Sequence, residues 1–291
     1  MGSTRTLRTT GTALAATAAL ALALTACGTD SDPDTGGGDG GGESSGDAPL
    51  NVAAGPVPHA EILNFVREDL AEEAGLDLEV TEFTDYVLPN TALDSGEVDA
   101  NFFQHKPYLD DFNANQGTDI VPVVNVHLEP LGLYSHTLDS ADALADGDTI
   151  AVPNDATNEG RALKLLADNG VIELAEGVGV EATLADITDD RGLSFEELEA
   201  ATLPRALDDF DAAIINGNYA LEAGITPADD ALVIEDSEGN PYANFLAVRA
   251  GDEDDPRITT LAELLNTDEV RQFIEDTYQG SVVPAFGEPA A

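Results

Sequence analysis

The sequence predicts an α/β fold for residues 50–286, and two observations support this prediction. Short apolar segments alternate with segments of helical periodicity, a pattern typical of α/β proteins with largely parallel sheets. Apolar residues make up 43% of the chain, which is enough for a substantial core. The single cysteine, Cys27, excludes a disulfide framework as a substitute for that core.

The elements of the first half follow one another as strand, helix, strand. In the first helix, apolar residues three and four positions apart would share one face. The predicted segments are LNVAA, the helix PHAEILNFVREDLAEEA with Ile62, Phe65, Val66 and Leu70, then LDLEVTEF, VDANFF, a helix over about 106–115, and IVPVVNV. They predict a first lobe over residues 50–134.

The second half repeats the alternation and predicts a second lobe over residues 135–244. Its segments are the strand GDTIAVP, a helix through ALKLLADNG, and the strand AAIIN. Residues 245–291 return to the first lobe through PYANFLAVRA and a helical C-terminal segment with apolar residues on one face. A cleft between two lobes is the usual place for a small ligand.

Residues 1–26 have the layout of a lipoprotein signal peptide. Arg5 and Arg8 precede an apolar run over residues 12–26, which is shorter than the roughly 20 residues that span a bilayer. The run ends in LTAC, which resembles the bacterial lipoprotein box and predicts lipidation of Cys27. A plain secretory signal followed by a chance cysteine is the alternative. Two or more acyl chains on Cys27 would anchor the protein stably.

Residues 27–49 are rich in Gly, Asp and Ser and predict a flexible tether. The whole chain has 57 acidic against 11 basic residues, a net charge of −46. Because such a charge repels polyanions, nucleic acid is excluded as an electrostatic partner.

Tyrosines and amide side chains are concentrated between the predicted elements. Five of the six tyrosines lie in segments rich in Asn, Pro and Gly, where loops at strand ends would meet a cleft. These five are Tyr86, Tyr108, Tyr134, Tyr219 and Tyr242. With His105 and Arg161 in similar segments, the distribution predicts a binding site.

Arg161 is predicted to lie about one turn inside the helix that follows GDTIAVP. Asp155 or Thr157 can cap this helix, and the free amide groups of its first turn would favour a carboxylate. A guanidinium binds a carboxylate through two parallel hydrogen bonds, and Asn158 would add a donor on the same face. The alternative is a surface arginine paired with one of the abundant acids, such as Glu159.

Neither catalysis nor a metal site has support in the sequence. There is no G-x-S-x-G segment and no phosphate-binding loop, and lipidation would remove Cys27 as a nucleophile. His59, His105, His127 and His136 could supply three imidazoles, but no two of them have the i, i+4 spacing of a helical metal site. We therefore predict no enzyme, no cofactor and no metal.

Seven motifs occur in a fixed order between about residues 50 and 286. They are GPVPHAEIL, TDYVLPNTAL, DANFFQHKPYL, VPNDATNEGRAL, LPRALDD, INGNYAL and PYANFLAVR. This order resembles the NlpA lipoprotein family, the methionine-binding proteins of ABC importers. The resemblance implies a two-lobed fold of the periplasmic-binding-protein type (type II), which closes on its ligand in the cleft.

The resemblance also implies the polar contacts of the site. Arg161 would bind the ligand carboxylate with Asn158 beside it, and Asn216 and Asn244 would bind the carboxylate or the amino group. His105 would contribute a further polar contact at the cleft.

An apolar slot for a thioether side chain is implied in the same way. Tyr86, Phe103 and Tyr108 would form it, because sulfur packs favourably against aromatic edges. Phe102 is bulkier than the residue expected there, but alternation along a strand directs it away from Phe103 and into the core.

The implied partners are L-methionine or a related amino acid, an ABC permease with its ATPase, and the membrane through the lipid anchor. The implied location is the extracytoplasmic face of the cell membrane. A zwitterion of zero net charge feels little of the field of so acidic a protein. The alternatives are the same fold binding another small amino acid, a methionine derivative or a methionine-containing dipeptide, an exported metal-binding lipoprotein, and an exported enzyme.

Overall fold

The structure, a computed structural model, describes residues 48–289. The predicted signal peptide over 1–26, the lipidation site Cys27 and the tether up to residue 47 lie outside the described residues. In residues 48–289, no helix has both the length and the apolar composition needed to cross a membrane.

Strands and helices alternate through most of this region, which confirms the α/β class. The strands are β1 (Leu50–Ala54), β2 (Leu78–Glu82), β3 (Ala100–His105), β4 (Ile120–Leu128), β5 (Gly132–Tyr134), β6 (Thr149–Pro153), β7 (Glu173–Leu174), β8 (Ile187–Asp189), β9 (Ser194–Leu198), β10 (Ala212–Ile215), β11 (Val233–Ile234), β12 (Asn244–Arg249) and β13 (Val283–Gly287). The α-helices are α1 (Glu61–Phe65), α2 (Ala71–Ala74), α3 (Leu88–Asp94), α4 (Lys106–Gln116), α5 (Ala156–Asp168), α6 (Leu203–Ala206), α7 (Gly217–Glu222), α8 (Pro227–Asp230), α9 (Pro256–Leu265) and α10 (Asp268–Tyr278). Helical turns at Pro56–Ala60 and Val66–Leu70 join α1 and α2 into the single segment that the hydrophobic pattern predicts.

Eleven of these strands form two mixed sheets, and β7 and β8 form a separate antiparallel pair, so the expectation of largely parallel sheets was wrong. The first sheet has the order β13-β4-β12-β3-β1-β2, and the second has the order β11-β5-β10-β6-β9. Strand β1 is parallel to β2 and β3, whereas β12 is antiparallel to both β3 and β4. The reason is that β12 enters the first sheet as the chain returns from the second, and it therefore runs in the opposite direction.

The chain changes sheets close to the predicted lobe boundaries but not at them. Strand β5 falls inside the predicted first lobe, yet it pairs with β10 in the second sheet. Strand β12 begins at Asn244, the last residue of the predicted second lobe, and belongs to the first sheet. The C-terminal segment, predicted as helical, also contains β13, which pairs with β4. This short strand lies beyond the periodic residues of α9 and α10.

Each sheet has its own core. In the first, Val52, Phe102 and Leu246 pack with residues of α1, α9 and α10, and in the second, Ile150 and Leu163 belong to a separate cluster. Removing such a side chain from water contributes about 1.5–3 kcal/mol. Phe102 is fully buried in the first core, which confirms the direction predicted from strand alternation.

Gly160 permits a close approach between α5 and the turn at Gly179–Glu181. A Cβ at this position would overlap the carbonyl oxygen of Val180, a backbone atom that cannot rotate away.

Although alanine is the better helix former, we expect Gly160→Ala to lower the free energy of unfolding by about 1–3 kcal/mol in urea denaturation. Lys164→Ala, on the exposed side of the same helix, is the control and should change it by less than about 0.5 kcal/mol. Equal stability of the two variants would contradict the role of this contact.

Candidate ligand-binding site

A cavity of about 350 Å³, including its mouth, lies among residues contributed by both sheets. All eight residues that the sequence analysis named as ligand contacts line it, namely Tyr86, Phe103, His105, Tyr108, Asn158, Arg161, Asn216 and Asn244. The lining also includes Gln104, Glu129, Gly217 and Asn218, which the sequence analysis did not select. Residues far apart in sequence thus meet in one place.

The lining residues come from strand ends and from the first turns of helices. Phe103 and His105 lie at the carboxyl end of β3, and Asn216 follows β10 as the N-cap of α7. Asn244 opens β12, and Glu129 follows β4 directly. Ligands of open α/β sheets commonly bind at such carboxyl ends.

The N-terminus of α5 fixes the orientation of Asn158. Asp155 is the N-cap, as predicted, and accepts the backbone N–H of Asn158 at 3.0 Å and its Nδ2 at 2.8 Å. The Thr157 hydroxyl donates to the Asp155 carboxylate and is not itself the cap. Held in this way, Asn158 Oδ1 accepts hydrogen bonds from His105 Nε2 at 3.3 Å and from Asn216 Nδ2 at 3.0 Å.

Arg161 is a buried residue with a carboxylate partner. Its Nε donates to Glu235 Oε1 at 2.9 Å, and its Nη2 donates to Glu235 Oε2 and to the backbone oxygen of Glu129. The guanidinium carbon lies 4.1 Å from the centre of the Tyr242 ring. Burial would raise the pKa of Glu235, but the Arg161 charge and the hydrogen bonds to the carboxylate together outweigh burial and lower that pKa. Within residues 48–289, Arg161 Nη1 has no hydrogen-bond partner, so it remains available to a ligand anion.

The alternative of a surface arginine was wrong, because Arg161 is buried; it is paired with an acid, but that acid is Glu235 and not Glu159. The Glu159 carboxylate accepts the backbone N–H of Leu184 at 2.9 Å. Sequence reasoning missed Glu235 because it lies 74 residues from Arg161 and is one of many acids without a distinguishing motif.

Aromatic rings form the apolar wall of the cavity. The Tyr86 ring centre lies 6.1 Å from that of Phe103 and 5.8 Å from that of Tyr108. The Tyr86 hydroxyl donates to Asn218 Oδ1 at 2.6 Å, and the Tyr108 hydroxyl donates to the backbone oxygen of Tyr86 at 2.9 Å. These bonds fix the hydroxyl groups of both tyrosines, whose rings line the cavity with Phe103.

Of the remaining tyrosines singled out in the sequence, two border the aromatic and cationic groups of the site. Tyr219 lies 5.0 Å from Tyr86 between ring centres, and Tyr242 covers Arg161. Tyr134 does not belong to the cavity, because it lies in β5 and is buried in the second half of the protein. Its neighbours in the sequence suggested a loop, but β5 is too short to show a strand pattern.

His105 is held as a neutral imidazole. Its Nδ1 accepts the backbone N–H of Tyr108 at 3.2 Å, so Nε2 carries the hydrogen that is donated to Asn158. Burial, assisted by the nearby Arg161 charge, lowers the pKa of His105 to about 3. The side chain therefore acts as a fixed donor at neutral pH.

A buried cluster at the cavity wall joins two of the four histidines considered in the sequence to Glu129, which was not selected there. His127 Nε2 donates to Glu129 Oε1 at 2.7 Å, and His59 Nε2 lies 3.1 Å from the same oxygen and 3.0 Å from Asn244 Oδ1. Burial would raise the pKa of Glu129, but the charge of His59 and the hydrogen bonds of both histidines outweigh it and lower that pKa. The spacing of two residues between His127 and Glu129 at a strand end was a usable signal, whereas no local pattern connected His59 to these two residues.

Comparison with known proteins places this fold in a family. A family model described as NlpA lipoprotein matches residues 50–286. This chain belongs to the NlpA lipoprotein family. The match covers both sheets and every lining residue of the cavity, so the resemblance stated from the motifs is confirmed.

Named relatives in the NlpA family are similar to this chain over most of their length. The methionine-binding lipoprotein MetQ of Bacillus subtilis is 41% identical over 245 residues, which cover 82% of this chain and 89% of the relative. The D-methionine-binding lipoprotein MetQ of Escherichia coli is 40% identical over 240 residues, which cover 81% of this chain and 88% of the relative. A solved structure of a nutrient-binding protein from Burkholderia cenocepacia bound to methionine is 44% identical, with a TM-score of 0.79, and covers 81% of this chain and 100% of that one.

The low pKa of His105 predicts acid sensitivity. Between about pH 6.5, its ordinary pKa, and pH 3, the unfolded chain binds a proton that the folded protein excludes, so stability falls as pH falls. Urea denaturation at each pH measures the free energy of unfolding. From pH 6 to pH 5, we expect this free energy to fall by up to about 1.4 kcal/mol more in the wild-type protein than in His105→Gln. His136→Gln, which removes an exposed imidazole, is the control. Identical pH slopes for the wild type and His105→Gln would show that burial does not perturb this group.

Proposed function

We propose that this protein is an extracytoplasmic solute-binding lipoprotein that captures methionine and delivers it to an ABC permease. The observation that carries the proposal is the cavity itself, which combines a buried guanidinium, several amides and three aromatic rings. Membership of a family with relatives named for methionine binding supports the choice of ligand.

The carboxylate of the ligand would bind at the free Nη1 side of Arg161. Because Glu235 occupies the Nε and Nη2 edge, the guanidinium is held in one orientation before the ligand arrives. Such preorganisation reduces the entropy lost on binding. Asn244 lies in the same lining and would add a polar contact, whereas Asn158 beside Arg161 would hold His105 and Asn216 in place.

The thioether side chain would occupy the wall of Tyr86, Phe103 and Tyr108. Sulfur against aromatic edges contributes about 0.3–1.5 kcal/mol in addition to burial of the methylene groups. A shorter side chain such as that of alanine would leave this wall largely uncovered, which favours methionine among small amino acids.

Ligand binding would favour a closed arrangement that the permease recognises. Hydrogen bonds already join segments of the two halves, from Tyr86 to Asn218 at 2.6 Å and from the Tyr219 hydroxyl to the backbone oxygen of Thr84 at 3.3 Å. A ligand that contacts both halves stabilises the closed arrangement and not the open one. The ATPase partner would supply the energy for import, so no catalytic step is assigned to this chain.

The direct test is calorimetric titration of L-methionine into the purified full-length protein in detergent, after unfolding and refolding to remove bound ligand. We expect saturable one-to-one binding at micromolar affinity or tighter. Alanine, a methionine-containing dipeptide and Zn²⁺ serve as comparison ligands. Tighter binding of the dipeptide would favour that alternative cargo, and no heat with methionine from folded protein would overturn the proposal.

Replacing Arg161 should weaken methionine binding in the same assay. We expect Arg161→Ala to cost about 1.5–3 kcal/mol of binding free energy, because a charge-assisted contact to the carboxylate is lost. Arg161→Lys retains a cation beside Glu235 but lacks the planar fork, and it separates loss of binding from loss of folding. Arg67→Ala, at an exposed position, is the control. Wild-type affinity in both Arg161 variants would remove this residue from the site.

The proposed anchor depends on Cys27. We expect Cys27→Ala to move the protein from the membrane fraction to the soluble fraction of the expressing cells, because no acyl chain can then be attached. Ser31→Ala, in the adjacent tether, should leave the distribution unchanged. Membrane retention of Cys27→Ala would mean that another segment anchors the chain.

A further inference from the structure

The chain passes from one main sheet to the other twice within residues 48–289. The first crossing, residues 129–131, joins β4 of the first sheet to β5 of the second. The second crossing, residues 235–243, joins β11 of the second sheet to β12 of the first. Hinges consist of the few residues that connect two moving parts, so a movement of one half against the other would be absorbed in these two segments.

The two crossings lie side by side where they meet the second sheet. The Glu235 backbone N–H donates to the backbone oxygen of Leu131 at 2.9 Å, and the Leu131 N–H donates to Glu235 Oε2 at 3.2 Å. Glu235 also holds the Nε and Nη2 edge of Arg161, which belongs to α5. Leu131, Glu235 and Arg161 are therefore joined to one another and to the second half.

The same guanidinium reaches the opposite ends of both crossings, which adjoin the first sheet. Arg161 Nη2 donates at 2.9 Å to the backbone oxygen of Glu129, the residue directly after β4. The Tyr242 ring lies two residues before β12, and its centre is 4.1 Å from the guanidinium carbon of Arg161. Arg161 and Tyr242 are each 4% exposed, and a cation over an aromatic face is most stabilising where both groups are desolvated.

Tyr242 is also held from the side of the first half. Its ring meets His105 of β3 edge to face, with 5.0 Å between the ring centres. Its hydroxyl is buried and has no hydrogen-bond partner in the described part of the chain. The ring, and not the hydroxyl, therefore makes the contacts of this residue, and Tyr242 is not among the residues that line the ligand cavity.

We propose that the Tyr242 ring and the Glu129 carbonyl form a hinge latch with Arg161, which stabilises the closed arrangement of the two halves. Rotation about the crossings would separate Arg161 from these two groups, whereas its pair with Glu235 would persist. The inference rests on the proposed function, in which the same guanidinium binds the ligand carboxylate through Nη1. Tyr242 is then a positioning residue that couples ligand binding to closure through Arg161, without touching the ligand.

The test measures the ratio of closed to open protein by single-molecule fluorescence transfer. The two dyes are attached at Leu88→Cys in the first half and Asp209→Cys in the second, both exposed positions, in the full-length chain with Cys27→Ser. The ratio is measured without ligand and over a titration with L-methionine.

Tyr242→Leu removes the aromatic face that Arg161 covers. We expect the closed-to-open ratio to fall about 2- to 30-fold, by the same factor with and without methionine, because the latch does not involve the ligand. The apparent Kd for methionine should rise by no more than that factor, since the contacts to the ligand are retained. Loss of a ligand contact alone would instead leave the ligand-free ratio unchanged.

Tyr242→Phe and Phe245→Leu are the matched variants. Tyr242→Phe keeps the ring and removes only the unpaired hydroxyl, so it should close as the wild type does. Phe245→Leu makes a similar change from an aromatic to an aliphatic side chain in β12, but Phe245 is fully buried in a core of the first half. It should lower the free energy of unfolding and leave the closed-to-open ratio unchanged.

Arg161→Lys tests the latch from its other side, in the absence of ligand. Lysine retains a cation beside Glu235, but it lacks the planar fork that reaches Glu129 and lies flat over Tyr242. We expect the ligand-free closed-to-open ratio to fall at least about 5-fold.

Three results would overturn the inference. An unchanged ratio in folded Tyr242→Leu would show that the ring does not contribute to closure. An equal fall in Tyr242→Phe or in Phe245→Leu would assign the effect to the hydroxyl or to a general loosening of the fold. An unchanged ligand-free ratio in Arg161→Lys would do so even if Tyr242→Leu failed to fold. Absence of methionine binding by the wild type would overturn the proposed function alone, because the ligand-free comparisons do not depend on it.

Discussion

The ion pair between Arg161 and Glu235 is the interaction on which the site depends. A guanidinium that is 4% exposed needs a partner, because an unpaired buried charge costs several kcal/mol. Glu235 supplies two hydrogen bonds and in turn accepts the backbone N–H of Leu131 at 3.2 Å. The pair thus ties α5 to the segment after β11 and to the start of β5, and it fixes the cation at one edge of the cavity.

If the proposed function holds, this arrangement explains how a chain of net charge −46 can bind a ligand that carries a carboxylate. At long range the protein repels anions, but a zwitterion has no net charge and approaches without that penalty. Inside the cavity the local groups decide, because the surrounding protein screens charges less than water does. The acidic surface therefore concerns solubility, and recognition is the role proposed for the buried Arg161.

Hydrogen bonds among three amide side chains hold one wall of the cavity rigid. Asn90 Nδ2 donates to Gln104 Oε1 at 2.8 Å, while Gln104 Nε2 and Asn101 Nδ2 both donate to Asn90 Oδ1 at 2.8 Å. A buried network whose members satisfy one another specifies a single arrangement of its side chains. It joins the start of α3 to β3, the strand that carries Phe103 and His105 into the cavity.

The sequence by itself determined the α/β class, the family and the eight residues that meet in the cavity. These follow from hydrophobic periodicity and from motifs whose residues lie next to one another in the chain. Only the tertiary structure placed Tyr134 in the core, made the sheets mixed and added β13, because strand direction and pairing depend on where the chain returns. It alone also joined Arg161 to Glu235 and His59 to Asn244, which are 74 and 185 residues apart. Such contacts leave no local pattern, since they arise from the burial of charged and polar groups against partners that distant strands bring within reach.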